Sequence, residues 1–149
     1  MGRLSKAERR EHSSNVDRID AALEQIDRRL GRRYERYSDD ELRILLVWVF
    51  VQTVENGGFA FLFEHPMPGD ADYSGTLRAI DSIGATAAGA IFRQALNQFR
   101  GGWPPLDPLE RATEYHALTQ QTRGELDAAI LDQVPEIARR LVTYIEANG

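Results

Sequence analysis

Apolar and aromatic residues recur at Val16, Ile19, Leu23, Ile26, Leu30, Tyr34 and Tyr37, in steps of three and four that place them on one narrow stripe of a helix. The spacing predicts an N-terminal amphipathic helix, with Ser14 at its start and Asp17 three residues on as an imperfect capping box. Residues 1–14 lack the stripe and read as a flexible basic tail. Arg28, Arg29, Arg32, Arg33 and Arg36 lie near the helix end, where cations complement the negative pole of the dipole.

The next pattern is different. Ser38-Asp39-Asp40-Glu41 is a helix start, because Ser38 can accept from backbone N–H groups, Glu41 can reach back, and three carboxylates complement the positive dipole end. From Leu42 to Val54 the chain is apolar on nearly every face, so the pattern predicts a helix buried on several sides. Gly57 and Gly58 then supply a break, and Phe59, Phe61, Leu62 and Phe63 return apolar surface to the core. His65 to Ser74 reads as a loop rich in Pro, Gly and Asp. Further helices are expected from about Gly75 to Ser82, from Thr86 to Phe99, from Leu109 to about Gln121 behind the Asp107-Pro108 start, and over Glu125 to Asn148 with a break near Pro135.

These elements predict an all-α fold. A single compact multi-helix domain, residues 15–149, surrounds a buried central helix and carries the N-terminal amphipathic helix. Its 149 residues suit one core, and 42% hydrophobic against 28% charged residues is the balance of a globular chain. With no cysteine, disulfides, thiolate metal sites and cysteine nucleophiles are excluded. The first residues have no apolar core of a secretory signal, and the apolar run before Gln52 is short for a bilayer span. A cytoplasmic protein with no membrane contact is the expectation.

Charge changes the picture more than composition does. Residues 1–36 hold ten basic and seven acidic residues, a net +3, whereas residues 37–149 hold eight and sixteen, a net −8. An acidic body repels nucleic acid and favours a cationic partner. No direct nucleic-acid binding is therefore expected of it.

Catalytic patterns are missing. His12, His65 and His116 stand in separate segments without metal-ligand spacing. No phosphate-binding loop and no nucleophile elbow occurs. Glu55, beside the glycine break, is the one carboxylate whose position suggests desolvation; the alternative is that Glu55 and Asn56 satisfy backbone groups freed by the break, or meet an arginine such as Arg111. No cofactor, no metal and no catalytic residue is assigned.

The apolar helix leading into Glu55-Asn56-Gly57-Gly58-Phe59, the Leu77-x-x-Ile80-x-x-Ile83-Gly84-Ala85 segment and the terminal helix with Tyr144-Ile145 together resemble the bacterial DNA-mimic protein domain family over residues 40–147. The resemblance implies an all-α fold, commonly dimeric, with no catalytic activity. It implies that some members occupy the DNA-binding surface of a transcription factor. The expected function is a non-enzymatic acidic interaction protein that binds a basic DNA-binding protein, with an immunity or antitoxin-like protein neutralising a cognate toxin as the alternative. The candidate partner-binding carboxylates, chosen from the residues and not carried over from the family, are Asp39, Asp40, Glu41, Glu64, Asp70 and Asp72.

Overall fold

A computed structural model describes residues 3–148. Within them the chain forms seven helices and one short 3-10 turn. They are α1 (Lys6–Leu30), α2 (Asp39–Glu64), α3 (Ser74–Ser82), α4 (Thr86–Leu96), α5 (Pro108–His116), α6 (Gln120–Asp132) and α7 (Val134–Asn148).

α2 is the centre. Eleven of its 26 residues are buried, among them Ile44, Val47, Phe50, Val51, Phe59 and Phe63, because α3, α5, α6, α7 and α1 all pack on it. That enclosure explains its uniform apolarity: a helix covered on several sides has no face left for polar residues. By length and composition α2 would be apolar enough to cross a membrane, yet more than half of its most apolar window is buried within the fold. The densest part of the core is aromatic. Phe50 and Phe92 have tilted rings with centroids 4.8 Å apart, and Phe63 meets Phe99 edge-on at 4.9 Å, the latter a geometry in which the positive edge of one ring faces the negative face of another.

The N-terminal helix is longer than its apolar stripe. α1 starts at Lys6, where Ser5 Oγ accepts from Glu8 N at 3.1 Å and Glu8 Oε1 accepts from Ser5 N at 3.2 Å. Residues 6–14, expected as part of a flexible tail, are thus helical, rich in Ala, Glu, Lys and Arg that favour the helix without an apolar stripe. The helix also stops earlier than the stripe implies. Gly31 leaves it at φ 56°, Tyr34 belongs to the 3-10 turn, and Tyr37 donates its hydroxyl to Gly31 O at 2.7 Å. Likewise α5 ends at His116, and Thr119 caps a new helix at Gln120, so the segment expected to run to about Gln121 is divided.

α1 lies along α7 and the first half of α2. Arg18 pairs with Glu146 at 3.0 Å, and Trp48 Nε1 donates to Asp20 at 3.1 Å. Arg29 pairs with Glu41.

Candidate partner-binding surface

The two ends of α2 and its kink contain most of the chemistry. At the N-terminus, Glu41 N donates to Ser38 Oγ at 3.1 Å and Ser38 N donates to Glu41 Oε1 at 3.0 Å, the reciprocal box expected from the sequence. The Ser38 backbone bond, followed by the Arg29 guanidinium, holds the Glu41 carboxyl below the usual carboxylate range. Asp40 accepts from Arg43 Nη1 at 3.3 Å and from the Tyr144 hydroxyl. Burial, then this bond to Asp40, pushes the Tyr144 pKa up. Asp39 is exposed and borders a cleft of about 200 Å3 that also has Arg43 and Arg78 on its walls.

At the C-terminus the free carbonyls of the last turn find side-chain donors. Tyr73 donates to Leu62 O at 2.8 Å and to His65 O at 3.1 Å. Tyr73 is fully buried with φ 67°, a left-handed backbone that is uncommon for a bulky residue. Burial raises its pKa to about 12. Arg111 is 2% exposed, and its Nε donates to Phe63 O at 2.7 Å while Nη1 donates to Pro105 O and Leu106 O at 3.2 Å each. Its guanidinium carbon stands 5.2 Å from the Tyr73 ring centroid. A buried cation facing carbonyls at the negative end of a helix gains from the dipole as well as from the bonds.

Between the ends, Gly57 and Gly58 leave helical geometry, with φ 68° at Gly58. Asp127 of α6 accepts from Phe59 N at 2.9 Å and so caps the second half of α2 from another helix. Glu55 and Asn56, two of the five residues of the break, are both exposed. The expectation that they satisfy the freed backbone is corrected: Asp127 takes that role, and Arg111 serves the helix end. Exposure also removes the basis for a desolvated Glu55.

The six candidate carboxylates fall into two groups. Asp39, Asp40 and Glu41 lie at the start of α2, while Glu64, Asp70 and Asp72 lie at or beyond its end. The 18 residues from Asp39 to Asn56 precede the kink and alone extend about 27 Å, so the six do not form one cluster. Most are already engaged. Glu64 pairs with His116 at 3.1 Å. Asp72 accepts from Ser74 N at 3.1 Å and Ser74 Oγ at 2.7 Å, and the Ser74 hydroxyl bond is the main reason its pKa is lowered. Asp70 is 8% exposed and accepts from Gly75 N at 2.9 Å and from Thr76 N and Oγ1 at 2.6 Å each. It anchors the first turn of α3 and has no oxygen to spare for a partner. Asp39, Asp40, Glu64 and Asp72 keep exposed or half-exposed carboxylates.

Among the described residues no group of three His, Cys, Asp or Glu side chains is placed to hold a metal ion. The architecture is that of an all-α domain built on one kinked core helix, with carboxylates at both ends of it. The chain belongs to the DMP19-like protein family, whose family model matches residues 35–148; this is a DNA-mimic family and is not known as an enzyme family. Comparison with curated proteins gives no significant match, and neither does comparison with solved structures. α1 precedes the matched residues entirely.

Proposed function

We propose that this protein is a non-enzymatic acidic interaction protein that binds a basic DNA-binding protein by presenting carboxylates where that partner expects phosphates. The observation that carries this reading is the charge of the family-matched segment. Residues 35–148 hold nine basic and seventeen acidic residues, a net −8. A field of that sign steers a cationic cleft toward the body and weakens as salt screens it. The accessible carboxylates at the two ends of α2, Asp39 and Asp40 at one and Glu64 and Asp72 at the other, are separated by a segment that extends about 27 Å before the kink, which suits a mimic that spans a long cleft.

The reading is tested by immobilising the protein, passing the source cell's lysate over it and eluting with a salt gradient. Recovery of a basic DNA-binding protein, released by moderate salt and displaced by added duplex DNA, is the expected result. Recovery of a partner that resists both salt and DNA would sink mimicry and favour the toxin-neutralising alternative.

A further inference from the structure

Leu106 and Leu109 are 69% and 76% exposed, the most exposed large apolar side chains among the described residues. The exposure has a local cause. Asp107 caps α5 by accepting from Leu109 N at 3.0 Å, which puts Leu106 just before the cap, where an apolar side chain packs on the fourth helical residue when that residue is apolar. Here the fourth residue is Arg111, and its side chain turns inward to Phe63 O. Leu106 therefore stays outside, separated from Leu109 by at most about 11 Å of chain.

The backbone beneath the pair is fixed. Arg111 Nη1 holds Pro105 O and Leu106 O, Trp103 Nε1 donates to Asp72 O at 2.9 Å, Pro104 is buried, and Pro105 and Pro108 have their φ set by their rings. Folding has already ordered residues 103–109. A partner that covers the leucines therefore meets little of the ordering cost that binding usually carries.

Charge selects the occupant. Asp107 and Glu110 flank the leucines and are exposed, and Asp72, also exposed, is tied to the segment through Trp103. Against these carboxylates stands Arg100, because Arg111 is buried. A second copy turned onto this surface would set like charge against like, and an anionic lipid surface would be repelled. An apolar socket rimmed by cations is the complement. We propose that Leu106 and Leu109 are the apolar anchor of the partner-binding surface, seated in a socket that lysine or arginine borders on the basic DNA-binding protein. This rests on the reading of the partner as basic, and it adds a contact that a DNA backbone does not offer. Carboxylates draw in any cationic cleft, whereas the leucines select one with a socket. The two kinds of contact separate in kinetics: rim charges act on association and respond to salt, and a desolvated apolar anchor acts on dissociation.

The test takes the basic protein that immobilised wild type retains from the source cell's lysate, purifies it, and measures its association and dissociation on wild type and on the Leu106→Ser/Leu109→Ser variant at two salt concentrations. Both side chains are exposed, so the urea midpoint of the variant should match wild type. The expected result is dissociation at least about tenfold faster from the variant, with the association rate and its salt dependence unchanged. A benzoylphenylalanine photo-crosslinker in place of Leu109 should join the same protein, and one in place of Leu131 on α6 should not. Equal dissociation from the two surfaces, with the fold intact, overturns the anchor and leaves the basic-partner reading standing. So does a crosslink from the Leu109 position to a second copy of this chain, or equal crosslinking from the Leu131 position. If wild type retains no basic protein, the preceding reading fails and the anchor fails with it.

Discussion

A β-carbon on Gly58 would stand 2.5 Å from Asp127 Oδ2, because the carboxylate that caps Phe59 N approaches the glycine as closely as a bare α-carbon allows. The break in α2 is thus an interlock between two helices. Gly58 takes the positive φ that lets the chain turn, and Asp127 occupies the space a side chain would fill and satisfies the N–H that the turn exposes.

Gly58→Ala should destabilise the protein by about 2 kcal/mol or more, from left-handed strain plus the collision. Asp127→Ala should cost about 1–2 kcal/mol through the lost cap. Urea unfolding of both and of the double variant measures the coupling. Removing Asp127 relieves the collision, so the double variant should lose less than the two changes added together. Strict additivity would mean the two residues do not act on each other.

Arg111 closes the other end of the same helix. Arg111→Met should cost about 3 kcal/mol, since it strips donors from three carbonyls in a buried setting. Arg111→Lys keeps the charge but has no planar fork to reach Phe63 O, Pro105 O and Leu106 O together, so it should recover less than half of that loss. Thermal unfolding decides it, and full recovery by lysine would show that charge alone matters.

What the sequence reveals and what it hides follow from how far each interaction reaches along the chain. The caps at Ser38 and Asp107 are local, side chain to backbone within three residues, and both are legible. The buried core helix is legible because apolar residues fill all its faces. The first turns of α1 bury no apolar side chain, so no hydrophobic period announces them, and Ser5-x-x-Glu8 goes unnoticed. The Leu30-Tyr34-Tyr37 spacing continues a helix only on paper, since Gly31 ends it. Asp127 lies 68 residues from Phe59, and nothing near either residue points to the other. The six carboxylates look clustered along the sequence because the distance spanned by α2 cannot be read from composition.

Acid should loosen the start of α2. The folded-state pKa of Glu41 lies below its unfolded value, so its contribution is fully present above the unfolded pKa and is lost as pH falls through the folded one. Stability measured from pH 6 downward should fall more steeply in wild type than in Glu41→Gln, which has no carboxyl to protonate. Parallel curves would assign the capping box no part in the pH response.

Alkali acts on Tyr73 with the opposite sign. Its folded-state pKa is raised to about 12, so the neutral phenol that holds Leu62 O and His65 O supports the fold fully below the unfolded pKa near 10 and ceases to do so as pH rises through about 12. Tyr73→Phe should cost about 1–2 kcal/mol at neutral pH by taking the hydroxyl from both carbonyls, of which Leu62 O keeps only His65 N at 3.3 Å. It should also lose less of its remaining stability between pH 10 and 12 than wild type does. An equal alkaline loss in both would place the sensitivity elsewhere, with the buried Tyr115, whose pKa burial also raises, as the next residue to change.

Partner binding separates surface carboxylates from structural ones. Asp70→Asn replaces an acceptor of three donors with an amide that can accept through one oxygen only, so it should cost stability, about 1–2 kcal/mol, and leave affinity unchanged wherever the fold survives. Asp39→Asn, Asp40→Asn, Glu64→Gln and Asp72→Asn should act mainly on affinity, each slowing association and flattening its salt dependence as exposed charges do, with a smaller stability cost at Asp40 and Asp72, which also hold Tyr144 and Ser74. Association kinetics at two salt concentrations, run beside urea unfolding, distinguish the groups. If neutralising one end of α2 alone abolishes the salt response, the partner grips that end and no mimic spans the helix. If each end contributes, the distance along α2 is part of what the partner recognises.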